Sequence, residues 1–428
     1  MSPPELRYGA IGAALGVTAT LVVCLLVWPR DDGDAGAGVP RPAVTVRSAP
    51  QTVPAETPTA GPPSSSLSDQ QSDDADGGGH GWKPSPAPPL ADAAPAGEGP
   101  LPQAQPVRCP AGAATVSTAD ELQAALSAAQ PGQVIRLADG TYTGEFVTSA
   151  DGTAQQPIYL CGSRDAVLDG GDIEGGYVLH LDRASYWRLV GFTVTNGEKG
   201  VMTDGTVGSV IQQLDVHHIG DEAIHLRDNS TDNVVLDNEV SDTGLRRDKY
   251  GEGVYVGTAI SNWCRYSDCQ PDRSDRNVIK GNTIVRVTSE AVDLKEGTTG
   301  GVLEDNTFDG SRMSGADSWV DVKGNNWLIR DNRGESSLED GFQSHEILHG
   351  WGDHNVFSGN TANVDGPGYG IALRPEEGNV VTCDNTAHGA EQGLSNISCT
   401  QDQQSTQHST RATGPVSRAH HTTRGQRT

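Results

Sequence analysis

The phrase VVLDN, ending at Asn238, returns as VIKGN at Asn282, VLEDN at Asn306, LIRDN at Asn332, VFSGN at Asn360 and VTCDN at Asn385. After a first interval that holds a long insertion, the asparagines recur every 24 to 28 residues. That spacing is too short for a βαβ unit and suits one coil of a solenoid, with at least two short strands per coil.

A strand follows each asparagine as a small residue and then alternating apolar positions: AIHLR from Ala223, GVYVG from Gly253, AVDLK from Ala291, WVDVK from Trp319, GFQSH from Gly341 and GIALR from Gly370. Period two means one buried face and one outward face. Stacked coils of this kind predict an all-β, right-handed parallel β-helix in which equivalent residues stand about 4.8 Å apart. The asparagines then form an internal turn ladder and have a structural role. The 53 glycines and 5% aromatic content suit a chain that turns every few residues.

Residues 9–28 are an uncharged apolar run of about 20 residues, enough to span a bilayer. The run ends in VWPRDD without a small-x-small cleavage pattern close behind, so residues 1–30 are expected to be a signal anchor. Residues 31–107 are rich in Pro, Ala, Gly and Ser and read as a disordered linker, residues 108–399 as the β-helix, and residues 400–428 as a disordered tail. The expected setting is a single-pass protein of the cell membrane with its β-helix extracellular, secretion being the alternative. A monomer is expected.

Cys24 lies in the apolar run, which leaves six cysteines in the folded domain. Their even number and positions fit disulfides in an oxidising compartment, paired Cys109–Cys161, Cys264–Cys269 and Cys383–Cys399. After Cys109, the segment TADELQAALSAAQ predicts an N-terminal capping helix over the first coil, with Thr118 and Glu121 as a capping box.

Taking Val292 and Leu294 as buried fixes the phase, so Asp293, Lys295, Asp321, Lys323, Gln343 and His345 point outward, as do His225, Arg227 and Tyr255 in earlier coils. A third ladder runs through Glu222, Glu252 and Glu290, then Ser318, Asp340 and Tyr369. Stacked carboxylates repel unless a lysine or a hard cation such as Ca²⁺ bridges them; the alternative is that they cap turns or pair with local arginines. Lys295 and Lys323 would stack directly, which lowers one ammonium pKa toward neutrality and makes a base; alternatively they form a mixed-sign ladder with Asp293 and Asp321.

The segment SEAVDLKEGTTGGVLEDNTF, residues 289–308, resembles the chondroitinase B and alginate lyase family of polysaccharide lyases, within the pectate lyase-like superfamily. There a calcium-binding glutamate stands five residues before a catalytic lysine, positions matched by Glu290 and Lys295. The opening DELQAALSAAQPGQVIRLADGTYTG is also similar to that family's cap and first coil. Two departures are Lys323, where the family has an arginine, and Thr288, where it has a second acidic ligand.

The resemblance implies calcium-assisted β-elimination on an acidic, uronate-containing polysaccharide. Lys295 would be the base and Lys323 or His345 the acid or charge stabiliser, while Glu290, Glu252 and Glu222 would hold Ca²⁺. Arg227, Arg374, Asp293, Asp321, Trp263 and Tyr266 would contact substrate, although Trp263 and Tyr266 could instead pack the disulfide loop. His345, His349, Trp351 and His354 cluster in sequence, but hydrogen-bonded or solvated histidines account for them more simply than a transition metal.

A net charge of −26 argues against nucleic acid as a partner. Two other readings stay open: a non-catalytic, membrane-tethered surface protein that binds cell-envelope or extracellular glycans, and a glycoside hydrolase or epimerase built on the same fold, with Asp293 and Asp321 as the only suitable carboxylate pair.

Overall fold

The computed structural model describes residues 99–401 apart from 112, 113 and 377. The expected anchor, most of the linker and the tail lie outside the described residues. Among those described, no helix is long and apolar enough to cross a membrane.

Each coil contributes three strands, one more than the minimum read from sequence, to three all-parallel sheets of 11, 10 and 10 strands. The additional strands are the short runs directly after each asparagine, such as Thr283–Val285 and Thr307–Asp309. Alternation sends Val254, Val292, Val320 and Phe342 inward, where they are fully buried with Trp187, Trp319, Phe308 and Phe357.

The asparagine ladder runs coil to coil. Asn282 accepts from the Asn238 side chain at 2.9 Å, Asn306 from Asn282 at 2.9 Å, Asn332 from Asn306 at 2.9 Å, and Asn360 from Asn332 at 3.0 Å. The residue before each of these turns is left-handed: Asp237 (φ 51°), Gly281 (φ 67°), Asp305 (φ 57°), Asp331 (φ 56°) and Gly359 (φ 67°). Glycine and aspartate tolerate that backbone best, which is why the repeat reads D-N or G-N. At Gly281 a Cβ would also stand 2.4 Å from Asp237 Oδ1. A second, interrupted asparagine ladder, not read from the sequence, links Asn233 to Asn277 and Asn355 to Asn379.

A nine-residue helix, Ala119–Ser127, buries Leu122 and Leu126 at the N-terminal end. Thr118 Oγ1 accepts from Glu121 N at 3.2 Å, while the Glu121 carboxylate reaches back to Ser117 N at 2.8 Å, one residue beyond the expected box. The disulfides are the three expected pairs, Cys109–Cys161, Cys264–Cys269 and Cys383–Cys399.

The last part of the expected linker is docked. Leu101, Ala104 and Val107 pack on an outer apolar stripe of Val210, Val234, Leu236, Val278 and Val302. Arg276 Nη2 donates to Pro100 O at 2.8 Å, and Val107 N donates to Gln212 Oε1 at 2.7 Å.

Candidate active site

The outward positions of one 10-stranded sheet come into register over six coils. Tyr255 aligns with Asp293, Asp293 with Asp321, Asp321 with Gln343, and His345 with Arg374. Two residues further along the strand, the same register stacks Lys295, Lys323, His345 and Arg374. A neighbouring ladder stacks Lys199, Glu222, Glu252, Glu290, Ser318 and Asp340 by the same pairing.

These side chains point away from the core, yet most are buried, which corrects the expectation of an open outward face. They bury one another in a charge network. Asp293 lies between both lysines, with Lys295 Nζ at 2.9 Å and Lys323 Nζ at 2.8 Å. Lys323 also stands 3.0 Å from Asp321 and 3.7 Å from Glu290.

The stacked lysines therefore do not become neutral. Burial alone would lower the Lys295 ammonium, but Asp293, Glu296 and Glu290 outweigh it and hold its pKa well above the ordinary value. Lys323 is raised in the same way, burial being overcome by Asp293 and Asp321. The expectation of a neutral lysine base fails because acids interleave the two amines.

His345 differs. Its Nδ1 stands 2.9 Å from both oxygens of Asp321, and its side chain is 28% exposed. The Asp321 charge raises its pKa against burial, Lys323 and Arg374. Among the described residues Nε2 has no hydrogen-bond partner, so the ring is oriented by one nitrogen and presents the other. One coil on, Arg374 is 45% exposed and bonds Asp340 Oδ2 at 3.0 Å.

The acidic ladder divides. Glu222 is taken by Lys199 at 2.5 Å and stands 3.7 Å from His225 Nδ1. Glu252, Glu290 and Asp293, all buried, bring one oxygen each within 4.8 Å of one another. Asp293 thus replaces Glu222 in the expected metal set. Burial and then Glu222, Glu290 and Asp293 push the Glu252 carboxyl well up, and its buried Oε2 has no hydrogen-bond partner among the described residues. Hard oxygen donors with an orphaned carboxylate oxygen fit a cation such as Ca²⁺.

Other expected contacts are occupied. Arg227 donates to Asp204 at 2.6 Å and to Tyr177 Oη at 3.2 Å, and lies 3.8 Å from the ring centroid of Tyr266. Trp263 is buried, its indole donating to Thr258 O at 2.8 Å, so it packs the loop and does not wall a groove. His349 bonds Glu346 and His354 pairs with Asp353, and neither joins His345. The sequence reading missed Asp204, Tyr177 and Lys199 because the early coils YVLHLD and KGVMTD lack the D-N phrase that marks the repeat. Glu296, directly after Lys295, was missed because its burial comes from the loop that covers it, through Ile260 N at 2.7 Å.

Residues 109–249 match the family described as Pel9A-like, right handed beta helix region. The chain is similar to the crystal structure of an alginate lyase from Paenibacillus sp. str. FPU-7, with 35% identity and a TM-score of 0.58, over 67% of this chain and 96% of that one. Pectate lyase Pel9A is 16% identical (TM-score 0.44, 65% of this chain and 79% of that chain). A PL6 family alginate lyase, AlyGC, is 14% identical (TM-score 0.29, 68% of this chain and 54% of that chain). No curated protein matches the sequence.

Proposed function

The chain belongs to the right-handed parallel β-helix family of the Paenibacillus alginate lyase, within the pectate lyase-like superfamily, and on that premise we propose that it cleaves a uronate-containing polysaccharide by β-elimination. The observation that carries this reading is the pair His345 and Arg374, the two ladder members open to solvent, with His345 fixed by Asp321.

Arg374 pairs with the uronate carboxylate and so acidifies the neighbouring C5–H. His345 Nε2, when neutral, takes that proton; the electron pair forms the C4–C5 double bond, the C4–O bond breaks, and the leaving oxygen takes a proton from water. Asp321 is the positioning residue: it holds the imidazole by Nδ1 and stabilises the imidazolium that forms. Lys295 and Lys323, held as ammonium ions, keep Asp293 and Asp321 charged in place. They add positive potential behind the bound uronate. Glu252, Glu290 and Asp293 are the residues that would hold Ca²⁺, which when bound supplies further positive charge to that carboxylate.

We place the enzyme outside the cell, as a monomer tethered through residues 1–30, or secreted; the three disulfides support an oxidising compartment. The hydrolase alternative is weakened because Asp293 and Asp321 are both paired with lysine. The non-catalytic glycan-binding alternative draws support from the burial of the lysine ladder.

The test is to incubate the protein with a panel of uronate polymers, with calcium or with chelator, and follow the ultraviolet absorbance of the unsaturated uronide. A rise lost in His345→Asn supports the reading. Binding without any rise supports the glycan-binding alternative.

A further inference from the structure

Along the Lys295, Lys323, His345 and Arg374 ladder the two lysines are closed off from solvent and the two later members are open. The side chains are 8%, 4%, 28% and 45% exposed in that order. Toward the N-terminal coils, the insertion that follows the strand Val254–Val256 packs on the face beside Lys295 at Glu296 and over Arg227 with the Tyr266 ring.

That insertion is fastened to the coils at its two ends and braced internally between them. Ile260 N donates to Glu296 Oε1 at 2.7 Å, and the Trp263 indole donates to Thr258 O at 2.8 Å. Cys264 and Cys269 close the loop, and Cys269 N returns to Trp263 O at 3.0 Å. Beyond them the Asp272 carboxylate accepts from Asp228 N at 2.9 Å and Asn229 N at 2.8 Å, fastening the loop to an earlier coil.

Beneath it, Arg227 spans the width of the face. Tyr177 is in register with Lys199 on one ladder and Arg227 with Asp204 on the other, and the Arg227–Tyr177 bond at 3.2 Å joins the two. Tyr266 lies over that guanidinium at 3.8 Å. Successive coils of this sheet stand about 4.8 Å apart, so only a few coil spacings separate His345 from Arg227. Chain extending from His345 toward Lys295 therefore meets buried side chains and then this plug within a few sugars.

Resting on the lyase reading above, we infer that the site is a one-ended cleft that admits the polysaccharide by a chain end, so that the enzyme releases short unsaturated products and does not cut within the chain. The Cys264–Cys269 loop and the Tyr266 ring set this cleavage mode.

The experiment resolves products by size from the first time points on a uronate polymer, with viscosity followed in parallel. Unsaturated mono- and disaccharides released while viscosity persists are expected; early fragments of many lengths with a rapid fall in viscosity would overturn the inference. Cys264→Ser with Cys269→Ser, and separately Tyr266→Ala, should lengthen the early products, whereas Tyr266→Phe, which keeps the ring, should not. An unchanged product pattern in both loop variants would remove the loop from this role. A calorimetric series of uronate oligosaccharides of increasing length tests the cleft independently of turnover. Affinity that levels off after a few sugars upholds a closed end, and affinity that keeps rising with length overturns it. Absence of unsaturated product would defeat the lyase reading alone, leaving the binding series to decide the shape of the site.

Discussion

Replacing Glu252 by glutamine distinguishes a carboxylate cluster built for a cation from one neutralised by lysine alone. Glu252 is buried, has an orphaned Oε2, and is pushed well above its ordinary value of 4.5 by burial and by Glu222, Glu290 and Asp293. A carboxyl whose folded pKa is raised stabilises the fold least when ionised. Stability is greatest below the unfolded value and falls as pH climbs from about 4.5 toward the folded one. In chelator, the wild-type protein should therefore lose melting temperature as pH is raised above about 4.5, and Glu252→Gln should lose less. Calcium at a hundredfold excess over its Kd adds about 2.7 kcal/mol to the wild type. For a domain of this size that is on the order of 5 °C in Tm. Glutamine keeps the volume but removes one anionic ligand, and a tenfold weaker site retains about 1.4 kcal/mol less of that gain. Scanning fluorimetry across pH, with calcium or with chelator, reads all four arms. Superimposable wild-type curves in calcium and chelator would refute the argument that these carboxylates await a cation.

Four further outcomes are expected. His345→Asn should cut elimination by about 10²-fold or more with Tm nearly unchanged, and because His345 acts as a neutral base, the wild-type rate should rise with pH through its raised pKa. Asp321→Asn removes the main cause of that raised pKa, so the acid limb of the rate profile should move to lower pH, and a limb that stays put would count against His345 as base. Asn306→Ala leaves Asn282 N, bonded at 2.9 Å, without its acceptor and Ile279 O without the donor at 3.0 Å, a loss of about 3 kcal/mol measurable as a lower urea midpoint at unchanged slope. Leu101→Asp should lift the segment 99–107 from the stripe of Val210, Val234 and Val278 and cost about 2 kcal/mol, read as a fall in Tm.

The repeat by itself determined the architecture. Coil length, strand phase and the D-N turns follow from local rules: period two and left-handed turn residues. Register then placed Lys295, Lys323 and His345 on one ladder before any coordinates, since stacked coils repeat the same positions; the structure adds Arg374 to it. What the ladders do depends on distances between coils. Sequence showed two lysines stacking and predicted a neutral amine, whereas the fold threads Asp293 between them and keeps both charged. It showed three glutamates in a row, yet Lys199, from a coil without the repeat phrase, takes Glu222 and leaves Asp293 to complete the oxygen cluster. Above all, sequence gives the direction of a side chain but not its cover. The loop packed beside Lys295 is an insertion of irregular backbone, and its path over the face is decided by tertiary contacts such as Ile260 to Glu296, Asp272 to Asn229 and Tyr266 to Arg227.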